Sequence, residues 1–134
     1  MSYSSSLYIG RLSAMNSNKG PNDLASEWKE AFNSHDLDRI LALYSEDIVF
    51  KSPRVRTISG EESRVLQGKS AVRDYWRRLL ERWPNLECAV SHVFAGVDSV
   101  ALEYRFPSGL HGIEFMAVGS DGLVTFAVGN DLVR

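Results

Sequence analysis

The run Gly112-Ile-Glu-Phe-Met-Ala-Val118 holds one carboxylate, Glu114, among apolar neighbours. A carboxyl kept in apolar surroundings has its charged form penalised, so its proton affinity rises. It can then act as a general acid–base, or as a hydrogen-bond donor, near neutral pH. A glutamate at a strand end facing water does neither. Other chemistry-bearing groups are sparse. His35, His92 and His111 show no ligand spacing of the HxxxH kind, and the single cysteine, Cys88, adds no pair, so neither a metal nor a cofactor is expected. No nucleophile elbow, phosphate-binding glycine loop or dinucleotide fingerprint is present.

The face of the strand that carries Glu114 therefore matters most. Alternation puts Gly112, Glu114, Met116 and Val118 on one side and His111, Ile113, Phe115 and Ala117 on the other. It does not say which side is inward, and an ion pair of Glu114 with Arg105 at a rim is the rival reading. On the preceding run Val100, Leu102, Tyr104 and Phe106 share a face, opposite the outward-looking set Ala101, Glu103 and Arg105. Trp28, Tyr44, Phe50, Trp76 and Tyr104 are candidate pocket lining, although aromatic residues at these spacings equally serve a core. Asn130 is a weaker candidate and also reads as the mark of a bulge after Gly129.

The elements that would position these groups follow from periodicity. After Pro21-Asn-Asp23, where Asn22 or Asp23 can cap, Leu24, Trp28, Ala31 and Phe32 form one helical stripe. Asn33-Ser-His-Asp36 interrupts it, with His35 as a turn residue and Asp36 as the cap of a short second helix carrying Leu37, Ile40, Leu41 and Tyr44. Asp47–Pro53 reads as a strand, 54–67 as a long loop suited to act as a lid, and Ser70–Arg82 as a third helix with Val72, Trp76, Leu79 and Leu80 inward. Leu86–Ala95, Ser99–Phe106, Leu110–Val118 and Leu123–Val133 are four strand-like runs separated by turn signals, an antiparallel meander. Helices first and strands later predict an α+β domain.

Several stretches in this order resemble the NTF2-like superfamily and, within it, SnoaL-like domain proteins. They are Trp28-(x)2-Ala-Phe-Asn-Ser-His-Asp-Leu-Asp38, Leu43-Tyr-Ser-Glu-Asp-Ile-Val-Phe50 with Ser52-Pro53, Gly68-Lys-Ser-Ala-Val-Arg-Asp-Tyr-Trp76, Gly96-Val-Asp-Ser-Val100 and Asp121-Gly122. The resemblance implies a cone-shaped fold, with three N-terminal helices packed on a curved, mostly antiparallel sheet that encloses a pocket. It also implies that the Glu114 face looks into the cone, and that a homodimer forms through the outer sheet face.

The superfamily includes isomerases, cyclases, dehydratases, epoxide hydrolases and binding domains, so fold alone does not give function. By resemblance to ketosteroid isomerases, the general-base position falls on Ser52, the oxyanion tyrosine on Trp28, and the protonated carboxyl on Glu114. A serine alone cannot act as base near neutral pH and an indole cannot titrate, so that reaction is not expected. An Asp–Arg–Asp set for epoxide hydrolysis is not legible, and His92 and His111, the pair a dehydratase would want, lie on different strands. The expected ligand is a small apolar or aromatic, polyketide-like molecule. It would be held by Trp28, Tyr44, Phe50, Ser52, Trp76, Tyr104, Glu114 and Met116, with Arg54, Arg56 or Arg64 available to an acidic group. The alternatives are an isomerase, cyclase or dehydratase using Glu114 as acid–base, and a ligand-free dimerisation module.

Composition agrees with a small globular domain. The 134 residues are 44% hydrophobic and 24% charged, with 15 basic and 17 acidic residues for a net charge of −2, which gives no electrostatic case for nucleic acid. Arg73, Arg77, Arg78 and Arg82 cluster at helical spacing, as on a solvated face. No apolar run has the length of a membrane span. Residues 1–20 lack the apolar segment of a secretory signal and read as an arm, with Met15 an alternative start, ahead of one domain over 21–134. With one cysteine, a cytoplasmic location is the expectation.

Overall fold

The computed structural model describes residues 20–133; the expected arm lies, except for Gly20, outside the described residues. Helix α1 spans Pro21–Ser34 and α2 spans Leu37–Leu41. The cap of α1 is Gly20, not Asn22 or Asp23. Pro21 occupies the first turn, where no N–H is needed, and Asp23 reaches back to accept from the Gly20 N–H at 3.1 Å. Leu24, Ala25, Trp28, Ala31 and Phe32 form its buried stripe. The chain leaves α1 through His35 in the left-handed region (φ 61°), and the His35 ring bonds the Leu86 carbonyl. Asp36 caps α2, accepting from the N–H groups of Asp38 and Arg39.

Strand β1 covers Tyr44–Lys51 and is followed by helix α3, Arg54–Ser59, and strand β2, Val65–Gln67. Two expectations are corrected here. Tyr44 opens β1 and does not belong to α2, because the helix stops at Leu41. Residues 54–67 are not one long loop but a helical turn anchored by buried Val55 and Ile58, followed by an edge strand, so the domain has a fourth helix among its described residues. Helix α4, Lys69–Arg82, buries Val72, Tyr75, Trp76, Leu79 and Leu80 before Pro84. Strands β3 (Ala89–Gly96), β4 (Ser99–Arg105), β5 (His111–Val118) and β6 (Val124–Asp131) form the meander.

The six strands make one curved sheet in the order β2-β1-β6-β5-β4-β3, antiparallel throughout except where β1 runs parallel to β6. Register shifts at Tyr44/Val49, Val90/His92 and Ala117/Val118 supply places for the sheet to bend. No shift occurs at Asn130. It is exposed, pairs in register with Ile113 and bonds the Val128 carbonyl, so neither a bulge nor a site is found there. Helix α1 packs against β3 and β4, and α4 against β1 and β2, so the core lies in the hollow of the sheet. Among the described residues no helix is long and apolar enough to cross a membrane.

Candidate functional site

Glu114 points inward from the middle of the sheet. Its neighbours are Leu102 on β4 and Gly129 on β6. The backbone leaves room for its carboxyl because position 129 has no side chain. A Cβ there would lie 3.3 Å from Glu114 Oε1 and 3.3 Å from Ser52 Oγ. Glu114 is 4% exposed, and its Oε2 has no hydrogen-bond partner among the described residues. Burial pushes its pKa up to about 8. The positive charge of Arg54 works against that rise, and the negative charge of Asp131 adds a smaller push upward. Near neutral pH the group is mostly an uncharged acid with an O–H to donate.

Two further groups converge on this floor. Arg54 opens α3, where Pro53 has ended the extended chain and Ser52 Oγ accepts from the Arg54 N–H at 3.2 Å. Its Nη1 donates to Asp131 Oδ1 at 2.7 Å and its Nη2 donates to Tyr104 Oη at 3.0 Å. A guanidinium only donates, so Tyr104 accepts and its own hydrogen is free for another acceptor. Burial, with Glu114 nearby, raises the Tyr104 phenol pKa against the opposing pull of Arg54, so the phenol stays protonated. Tyr104 can lie flat on β5 because its cross-strand partner is Gly112. A Cβ at 112 would meet Tyr104 Oη at 2.9 Å and the Asn130 carbonyl at 2.6 Å.

These groups open into a cavity of about 460 Å³. Its inner wall is aromatic, with Trp28, Phe32, Phe50, Tyr75, Trp76 and Phe106 around Arg54, Tyr104 and Glu114. The rings brace one another: Trp28 lies 5.7 Å from Tyr104, Phe32 meets Trp76 edge-on at 5.1 Å, and Phe50 sits 5.3 Å from Tyr75. The outer rim comes from the end of α4 with the Trp83–Leu86 turn, and from the β4–β5 turn at Pro107 and Ser108.

Of the residues expected to line a pocket, Trp28, Phe50, Trp76, Tyr104 and Glu114 do so. Tyr44, Ser52 and Met116 do not. All three are buried behind the wall, packed in the core. Arg56 and Arg64 are exposed and away from the cavity, so only Arg54 of that trio reaches it. Counting turns on α4 would have found Tyr75, which falls three residues after Val72 on the same face. No local signal pairs Arg54 with Asp131, 77 residues away. That pair, with Glu114 nearby, assembles an acid–arginine–acid group that spacing alone does not display. The Arg105 ion pair expected as the rival reading of Glu114 is not formed, since Arg105 is exposed on the other face of β4.

His92 and His111 are likewise on the convex face. They donate to the two oxygens of Glu103, His92 Nδ1 at 2.8 Å and His111 Nε2 at 2.5 Å, and so are not a pocket pair.

Comparison with known proteins gives a consistent result. Residues 25–131 match the SnoaL-like domain family. A crystal structure of a SnoaL-like protein of unknown function from Burkholderia thailandensis is 37% identical, covering 84% of this chain and 94% of that one, with a TM-score of 0.80. An NTF2-like protein of unknown function from Cytophaga hutchinsonii is 15% identical over 84% of this chain and 90% of that one, at TM-score 0.65. The epoxide hydrolase/cyclase-like enzyme SalBIII, of pyran ring formation in the polyether salinomycin, is 16% identical over 84% and 91%, also at 0.65. The last two likenesses are of fold alone. No curated protein matches the chain.

Proposed function

The chain belongs to the SnoaL-like domain family, and from that premise we propose that its cavity binds a small, flat, apolar or aromatic molecule of polyketide-like type through one oxygen function. The observation that carries this reading is Glu114, a buried carboxyl in the lining of an aromatic hollow, whose Oε2 has no hydrogen-bond partner among the described residues. An unmade bond at a buried acid costs about 1–3 kcal/mol, and a ligand carbonyl or enol oxygen would make it. The rings supply apolar area and the few polar groups orient the ligand, the usual make-up of such a site. Glu114 donates its proton to the ligand oxygen. The free hydrogen of Tyr104 is a second donor on the same wall, polarised by the Arg54 charge behind it.

A second reading, acid–base catalysis of the isomerase, cyclase or dehydratase kind, draws on the same carboxyl. With a pKa near 8, Glu114 exists in both protonation states around neutrality, as a group that both removes and returns a proton must. The test is binding of an aromatic ketone across pH by calorimetry, together with exchange of its α-hydrogens in heavy water. Binding that weakens above about pH 8 and is lost in Glu114→Leu, which has no donor, supports the first reading; added exchange in the wild type alone supports the second. Binding indifferent to both pH and the substitution would sink both.

The convex face supports association with a second copy. Phe94, 54% exposed, and Ile113, 41% exposed, project from it, and the ladder Phe94–Ala101–Phe115–Val128 carries apolar side chains across four strands. Isologous contact between two such faces would cover them. Sedimentation showing a monomer at micromolar concentration would remove this proposal, and with it the idea of a ligand-free dimerisation module.

A further inference from the structure

The charged residues lining the cavity are Arg54, Glu114 and, at the rim, Arg82. The first two are accounted for. Arg54 is neutralised by Asp131, and Glu114 sits on the floor as an uncharged acid. Arg82 is different. It is exposed in the last turn of α4, and its guanidinium lies 5.0 Å from the ring centre of Trp83, itself a rim residue at 39% exposure. A basic residue in a last helical turn complements the backbone carbonyls. Stacking on Trp83 also holds its charge at the cavity mouth, and among the described residues no carboxylate of the rim answers it.

Helix α4 sets the spacing between the two ends. Tyr75, within electrostatic reach of Glu114 and Arg54, belongs to the floor. Arg82 follows it by seven residues on the same helix, two turns on and so on the same side. The rise between them is about 10 Å. A rigid apolar body of two or three fused rings fits that length.

We propose that the natural ligand is an amphipathic acid, with a hydroxyl or keto oxygen on Glu114 at the floor, a fused-ring body against the aromatic wall, and a single carboxylate at the mouth on Arg82. This rests on the pocket reading above and adds the ligand's charge and polarity. Once the carboxylate is in place, each ionised group lining the site has a partner of opposite sign. Placing that carboxylate at the floor would instead bring it close to Asp131, where Arg54 is already engaged.

The test uses three probes in calorimetry: 6-hydroxy-2-naphthoate, its neutral isostere 6-hydroxy-2-naphthamide, and 2-naphthoate, which lacks the floor oxygen. The wild type should prefer the hydroxy acid over the amide by about fivefold, the range of a partly exposed ion pair. Arg82→Gln should erase that preference, and Arg82→Lys should keep it. Thermal unfolding of the variants confirms that the helix end is intact. Equal binding of acid and amide by the wild type, or a preference that survives Arg82→Gln, overturns the inference while leaving the pocket reading in place. If none of the three probes binds, the pocket reading falls and this inference with it.

Discussion

Two glutamates on neighbouring strands of one sheet differ in almost every property. Glu103 on β4 and Glu114 on β5 are separated by one step of the ladder, since Leu102 pairs with Glu114 and Glu103 with Ile113. That step turns them to opposite faces. Glu103 looks outward, where hydrogen bonds from His111 and then His92 hold its pKa down to about 2. Glu114 looks inward, where burial pushes its pKa up to about 8. The contrast shows that the reactivity of a carboxyl here comes from what surrounds it and not from strand or residue type. The convex glutamate is satisfied and fully ionised, while the concave one is unsatisfied and poised.

The widest consequence should be seen in stability against pH. The folded pKa of Glu114 lies above its unfolded value near 4.3. Its contribution is therefore fully present below about pH 4 and is lost as pH rises toward 8, after which the curve flattens. The full loss is on the order of 5 kcal/mol. Glu114→Gln, which cannot ionise, should lack that slope and gain on the wild type steadily from pH 5 to about pH 8 in denaturant titrations. Parallel curves for the two proteins would break the comparison.

Next in size, Gly112→Ala should destabilise by about 2 kcal/mol, as overpacking does, because its Cβ meets the Tyr104 hydroxyl and the Asn130 backbone. Thermal unfolding measures it, and ligand affinity should fall as well if Tyr104 is displaced. Arg54→Met removes the one positive charge that counters the burial of Glu114. The Glu114 midpoint, followed by carboxyl carbon NMR, should then move upward, and a downward move would contradict the assigned role of Arg54. The smallest effect is expected at Glu103. Its stabilisation is present above the ordinary glutamate range and is lost as pH falls through about 2, so Glu103→Gln should cost a little stability at neutral pH, where solvent screens the ion pairs, and nothing near pH 2. The same NMR experiment on the wild type sharpens the pair, since two midpoints several pH units apart are expected, and coincident midpoints would refute it.

The α+β class, the meander, the Asp36 cap and the alternation that sorts Glu114 from Ile113 are all written in short windows, because helix and strand periods are local properties of the chain. So are the aromatic stripes of α1 and of α4, where Tyr75 follows Val72 by three residues on the same face. Residues 54–67 were harder to read. Six residues of helix give too short a period to stand out, and Val55 and Ile58 become a face only once the core is there to bury them. The polar floor was decided by tertiary structure alone. Arg54, Tyr104, Asp131 and Glu114 come from α3, β4, β6 and β5, and the hydrogen bonds among them span 50 and 77 residues. Such contacts depend on the curvature and register of the whole sheet, and on glycines at 112 and 129 that matter only for what crosses beside them. The residue types were present from the start; their convergence is a property of the closed cone.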